Sequence, residues 1–180
     1  MAYWDAEQSV APPALLGEVT STPAIRAVTR RPGGPPVAVD YQGTREPEDL
    51  ARFARANMPD LVVRVEEEAA WAALARRASE ERLPRAIVFT NRTRGATTPA
   101  LLKRLSTDFE SRVLLAEVRP AAHDALSALQ GVFAVSALPS VRGLPRHATA
   151  DTEAARFKWD RAPTYARLHE FLARLSYPHA

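Results

Sequence analysis

The run Ala86-Ile87-Val88-Phe89, set between Pro84 and Asn91, is the feature that most constrains this chain. It is short, apolar throughout, and made of β-branched and aromatic residues. A strand with one wet face shows polar residues at every second position. A run without that alternation suits a strand covered on both faces. Amphipathic helical patterns precede and follow it. Two further apolar runs, Leu61-Val62-Val63-Arg64-Val65 and Val113-Leu114-Leu115-Ala116, are its natural neighbours in a sheet. The layout is α/β.

From Leu61 onward the pattern predicts the order β-α-β-α-β-α-β-β-α. Glu66-Glu67-Glu68 open a helix that runs to Arg82, where acids suit the positive end of the dipole. Its inward face is Ala70, Trp71, Leu74 and Ala78. Thr98 reads as the N-cap of the next helix, with Pro99 at its first position, and Leu102, Leu105 and Phe109 form the core stripe. A strand over Val113–Val118 stops at Pro120. A short helix, Asp124–Gln130, is closed by Gly131. Pro139 opens a strand, Ala154–Trp159 forms another, and a last helix over Pro163–Tyr177 turns Tyr165, Leu168, Phe171, Leu172 and Leu175 inward. Short βα units give parallel neighbours through right-handed crossovers, and the last two strands form an antiparallel hairpin.

The chain before Leu61 repeats the tail of that order. A partly helical stretch over Ser9–Val19 leads to Pro23, which opens a strand reaching Val28. Arg30–Pro36 is a turn, Val37–Tyr41 the returning strand, and Glu46–Met58 a helix with Leu50, Phe53 and Ala54 on one face. The repeat is one of pattern. It predicts half a domain over residues 1–59 and a complete one over 60–180.

At 180 residues there is room for one ordinary domain, or a domain plus a fragment. Hydrophobic content of 46% and charged content of 25% are globular values. The net charge of +3 permits an acidic partner without demanding one. Cysteine count is zero, which removes disulfides, thiolate nucleophiles and Cys-ligated metals. His123, His147, His169 and His179 are scattered and lack metal-ligand spacing. No nucleophile–base set appears, so no catalytic residue, metal site or cofactor is assigned. No apolar run is long enough to span a membrane. The N-terminus lacks a basic region followed by an apolar core, so it reads as no signal peptide, and the C-terminal YPHA is no retrieval signal.

Arg92, Arg94 and the Thr97-Thr98 helix start bring cations and free N–H groups to one point, which is an anion-site pattern. A solvated loop with an ordinary cap is the favoured reading. Arg30-Arg31, Arg76-Arg77, Arg82 and Arg85 make a basic set without interleaved aromatics, so solvated faces are the better reading and a nucleic-acid patch the lesser one.

The element order and the two proline-led strands resemble the thioredoxin fold, a mixed central sheet flanked by helices. The phrase PRAIVFTNRTRGATTPALLKRLSTDFESRVLLAEVR, followed by GVFAVSALPSV, is similar to a thioredoxin-like domain of the protein disulfide isomerase group. The nearer likeness is to its cysteine-free domains. The segment STPAIRAV, with VAVDYQGTREPEDLARFARANMP after it, resembles the closing half of a preceding thioredoxin domain. The resemblance puts the family's Cys-x-x-Cys position at Arg94-Gly95-Ala96-Thr97, where no sulfur is present and dithiol exchange is excluded. It matches the family's cis-proline landmark to Thr22-Pro23 and Leu138-Pro139, a backbone edge for a bound peptide, although an architectural kink is the plainer role for both.

The implied function is that of a non-catalytic domain of a disulfide-isomerase-like folding factor. Such a domain binds unfolded or client polypeptides, or positions a redox-active thioredoxin domain, in the endoplasmic reticulum lumen. The missing signal leaves a cytoplasmic location open. Two other expectations stand beside it: a fragment of an active thiol-disulfide oxidoreductase whose Cys-x-x-Cys half is absent, and a basic adaptor for nucleic acid.

Overall fold

The computed structural model describes residues 24–30, 34–119, 124–146, 148, 155–157 and 164–177. Thr22-Pro23, the helical stretch expected over 9–19 and Trp159 lie outside the described residues. The chain divides into two compact units, Met1–Pro59 and Asp60–Ala180.

In the first unit, β1 (Arg26–Arg30) and β2 (Pro36–Asp40) pair antiparallel, with Ala27 opposite Val39 and Arg26 opposite Asp40. Opposed charges on one face favour this register. Arg26 Nη2 donates to Asp40 Oδ2 at 3.0 Å, and Arg26 Nε donates to Oδ1. The next element, α1 (Pro47–Ala56), starts as its sequence dictates. Proline takes the first position, where no N–H is needed, and Glu48 and Asp49 sit in the first turn. Leu50 and Phe53 are half-buried, with the Phe53 ring 4.9 Å from that of Tyr41. Ala54, expected on the inner face, is exposed, and no residue of α1 is fully buried.

The second unit follows the expected order: β3 (Val63–Val65), α2 (Glu68–Glu81), β4 (Arg85–Phe89), α3 (Ala100–Asp108), β5 (Leu114–Val118), α4 (Asp124–Val132), β6 (Ser140–Leu144), β7 (Ala155–Phe157) and α5 (Tyr165–Ser176). The sheet order is β3-β5-β4-β6-β7. Strands β3 and β4 run parallel to β5, and β6 is antiparallel to both β4 and β7. Ile87 stands between Ala116 and Arg142 at the centre.

The apolar run of β4 has a simple cause. Ile87 and Phe89 enter one core with Leu74 and Ala78 of α2 and with Phe133, which follows α4. Ala86 and Val88 enter the other, with Leu102 and Leu105 of α3, Phe109 just after it, and Leu168 and Leu172 of α5. Neither face meets water, so neither carries polar residues. Helices α3 and α5 are also tied at the surface, where the Tyr165 hydroxyl donates to Asp108 Oδ2 at 2.6 Å.

Helix α4 does not end at Gly131 as expected. Glycine inside a helix costs only about 1 kcal/mol, and the chain instead turns at Ala134, whose φ of 46° is left-handed. The Ala134 N–H donates to Gly131 O at 3.1 Å and the Val135 N–H to Gln130 O at 2.7 Å, closing the last carbonyls.

Two outcomes are expected. The Arg26 hydrogen bond holds the Asp40 carboxyl below its ordinary value. A depressed carboxylate stabilises above its unfolded pKa and loses that contribution as the pH falls through the folded one. The β1–β2 pairing therefore weakens on acidification below about pH 4, and Arg26→Gln moves the Asp40 titration upward, as followed by carboxyl NMR shifts. In β6, a Cβ on Gly143 meets Phe171 Cζ at 2.7 Å and Leu175 Cδ2 at 3.2 Å. Gly143→Ala overpacks the β6–α5 contact and destabilises by about 1–3 kcal/mol in urea unfolding. An unchanged midpoint contradicts this packing.

Candidate functional site at the carboxyl end of the sheet

The register brings several chain ends together. Val65 and Phe89 both pair with Val118, so β3, β4 and β5 finish side by side. Ser140 pairs with Phe89, so β6 begins at the same end. Three connections meet there: the approach to α2, the loop from Thr90 to Pro99, and the link from Phe133 to Pro139. In open α/β sheets this is the end at which ligands bind.

Arg119, immediately after β5, organises the first two connections. Its side chain has no exposed surface. Nη1 donates to Glu66 Oε1 at 2.5 Å and to Thr93 O at 3.2 Å. Nη2 donates to Glu117 Oε2 at 2.7 Å and to Ala96 O at 2.7 Å. Glu117 lies two residues earlier, hence on the same side of the strand, and is also fully buried. Glu117 Oε1 accepts from Thr90 Oγ1 at 3.0 Å and lies 3.6 Å from Arg92 Nε. Glu66 Oε1 accepts the Gly95 N–H at 3.0 Å. Gly95 is exposed with open space around it, and its φ of 76°, in the left-handed region, is what favours a residue without Cβ there. Buried charges persist only when paired and hydrogen-bonded, and here the pairing fixes a loop to the sheet.

A second buried arginine holds the third connection. Arg142 on β6 donates from Nε to Phe133 O at 2.9 Å, from Nη2 to Ala134 O at 2.8 Å, and from Nη1 to Ser140 Oγ at 2.5 Å. The Leu138–Pro139 peptide bond is cis. Both residues lie beyond the ladder that begins at Ser140. Leu138 is half-buried and Pro139 exposed. Trp71 and Val135, also half-buried, pack with Leu138 against the core that contains Phe133, and the Trp71 and Phe133 rings stand edge to face at 5.8 Å.

No family model matches the sequence. No curated protein matches it either. Among solved structures, full-length ERdj5 aligns with a TM-score of 0.52 and 19% identity, over 79% of this chain and 19% of that one. The thioredoxin NaTrxh from Nicotiana alata aligns with a TM-score of 0.50 and 14% identity, over 66% of this chain and 96% of that one. The fold is thioredoxin-like. At these identities the likeness is one of fold, and this chain spans about a fifth of the length of ERdj5.

On the thioredoxin-like frame, Arg94, Gly95, Ala96 and Thr97 lie in the loop between β4 and α3. Arg94 is exposed and stands 3.8 Å from Glu66. The loop carries no cysteine, as the sequence carries none. It is not the freely solvated loop expected: Arg92 is half-buried, with Nη2 donating to Thr97 O at 2.7 Å. Thr98 is not the cap of α3. Pro99 occupies the N-cap position, and Thr98 Oγ1 is buried without a hydrogen-bond partner. The acids before α2 also divide differently. Glu67 is the N-cap and Glu66 stands outside the helix, turned to Arg119 and Gly95.

Sequence reasoning missed Glu117, Arg119 and Arg142 as organisers. The available signal was a charged pair at i and i+2 inside the apolar phrase LLAEVR. Arg119→Met strands the Glu117 carboxylate in the interior and costs about 3–5 kcal/mol. Adding Glu117→Leu recovers most of that loss in chemical denaturation. Equal losses for the single and double variants contradict a buried pair.

Proposed function

We propose that this chain is a non-catalytic thioredoxin-like module of a disulfide-isomerase-like folding factor, binding extended segments of unfolded or client polypeptides. The observation that carries this reading is the state of the loop before α3. The carbonyls of Thr93 and Ala96 are held by the interior guanidinium of Arg119, where dithiol chemistry would require a thiol. Beside that closed loop, Leu138 and Pro139 leave the β6 ladder with a half-buried apolar side chain. A polypeptide docking there gains backbone hydrogen bonds along its length, and the apolar patch of Trp71, Val135 and Leu138 supplies side-chain preference.

Thr22-Pro23 takes the corresponding role in the first unit under this reading. The ERdj5 alignment covers 79% of the chain, and residues 60–180 make up only about two thirds of it. That favours reading residues 1–59 as the closing half of a preceding thioredoxin-like domain. In a longer protein the module also positions a redox-active thioredoxin domain. The endoplasmic reticulum lumen is the compartment this role calls for.

The test is a fluorescence anisotropy titration with a labelled, permanently unfolded polypeptide. Leu138→Asp weakens binding by about tenfold or more, the effect of losing an anchoring apolar contact, with folding checked by circular dichroism. A folded Leu138→Asp protein that binds as well as the original removes the docking edge.

A further inference from the structure

Among the described residues, the buried side-chain polar atoms without a hydrogen-bond partner are Arg92 Nε, Thr98 Oγ1 and Arg119 Nε. All three belong to the loop before α3 or to the arginine that holds it. The two nitrogens donate, and the hydroxyl donates or accepts. Buried donors left unmade carry a desolvation cost, and native proteins meet them with a partner. These three atoms lack an acceptor within hydrogen-bond reach, and Arg92 Nε has only the Glu117 carboxylate, at 3.6 Å.

The start of α3 adds to the demand. The helix has nine residues, no acid in its first turn and no side-chain cap. The amides of Ala100 and Leu101 donate to no described group. They carry the partial positive charge of the helix end. Thr98, only 5% exposed, directly precedes the N-cap residue. Arg92, Arg94 and Arg119 set three cations against the two carboxylates Glu66 and Glu117.

We propose that this end of α3 binds a small oxyanion, a phosphate or a carboxylate, through Thr98 Oγ1, Arg92 Nε and the Ala100 and Leu101 amides. Arg92 Nη2 donates to Thr97 O at 2.7 Å, one residue before Thr98. The anion enters as Arg92 shifts off that carbonyl, and it competes with Glu117 for Arg92 Nε, now 3.6 Å from Glu117 Oε1. The site is independent of the polypeptide-docking reading.

The test is an amide NMR titration of the full chain with sodium phosphate, with sodium acetate, and with sodium chloride at matched ionic strength. Saturable shifts at Thr98, Ala100 and Leu101 are expected with phosphate or acetate and not with chloride, and the stronger of the two names the preferred ligand. Thr98→Val keeps the shape and removes the hydroxyl. It weakens binding about tenfold, as expected for one hydrogen bond to a charged group. It also raises the thermal midpoint without anion, because it deletes a partnerless buried group. Arg92→Met, with the remaining amide spectrum unchanged, weakens binding likewise. Linear shifts, shifts equalled by chloride, or undiminished binding by Thr98→Val overturn the proposal.

Discussion

A guanidinium with no exposed surface holds one end of this sheet in shape. Arg119 reaches Glu66 ahead of α2, Thr93 and Ala96 in the loop before α3, and Glu117 within β5. These acceptors come from three separate segments. A charge removed from water needs every available acceptor, so none of the segments can drift without stranding it. The loop conformation therefore follows from the cost of burying an ion together with the loop's own turn at Gly95, where the Ala96 N–H donates to Thr93 O at 3.2 Å.

Across β4 the same device recurs. Arg142 ties the carbonyls of Phe133 and Ala134 to its own strand, as Arg119 ties those of Thr93 and Ala96. The two arginines fix connections on either side of the central strand, at the end where β3, β4 and β5 finish and β6 begins. The proposed role in polypeptide binding draws on this rigidity. A docking edge works best when its backbone is already in place, because less entropy is lost on binding.

The core was legible because burial on both faces leaves a mark in composition. Ala86-Ile87-Val88-Phe89 has no polar alternation, and the stripes Leu102–Leu105–Phe109 and Leu168–Leu172–Leu175 each returned a buried face. The element order followed from the same signals. Helix ends were less legible. Gly131 lies within α4 because a glycine costs a helix only about 1 kcal/mol, and Pro99 takes the cap position that Thr98 was expected to hold. In α1 the apolar stripe of Leu50 and Phe53 is only half-covered, since pattern gives a face but not what lies against it. The arginine network was hidden for a different reason. Arg119 and Glu66 are 53 residues apart, and a charged residue at a strand end reads locally as a surface residue. Only the fold reveals that both lie beneath a loop.

Hydrogen exchange at two positions addresses the central claim directly. If Arg119 is buried and bonded as described, its guanidinium protons and the Gly95 amide, held by Glu66, exchange far more slowly than those of exposed Arg94. They are released only with unfolding of the second unit. Exchange of the Arg119 guanidinium at the rate of a free arginine, with an unprotected Gly95 amide, would contradict the account.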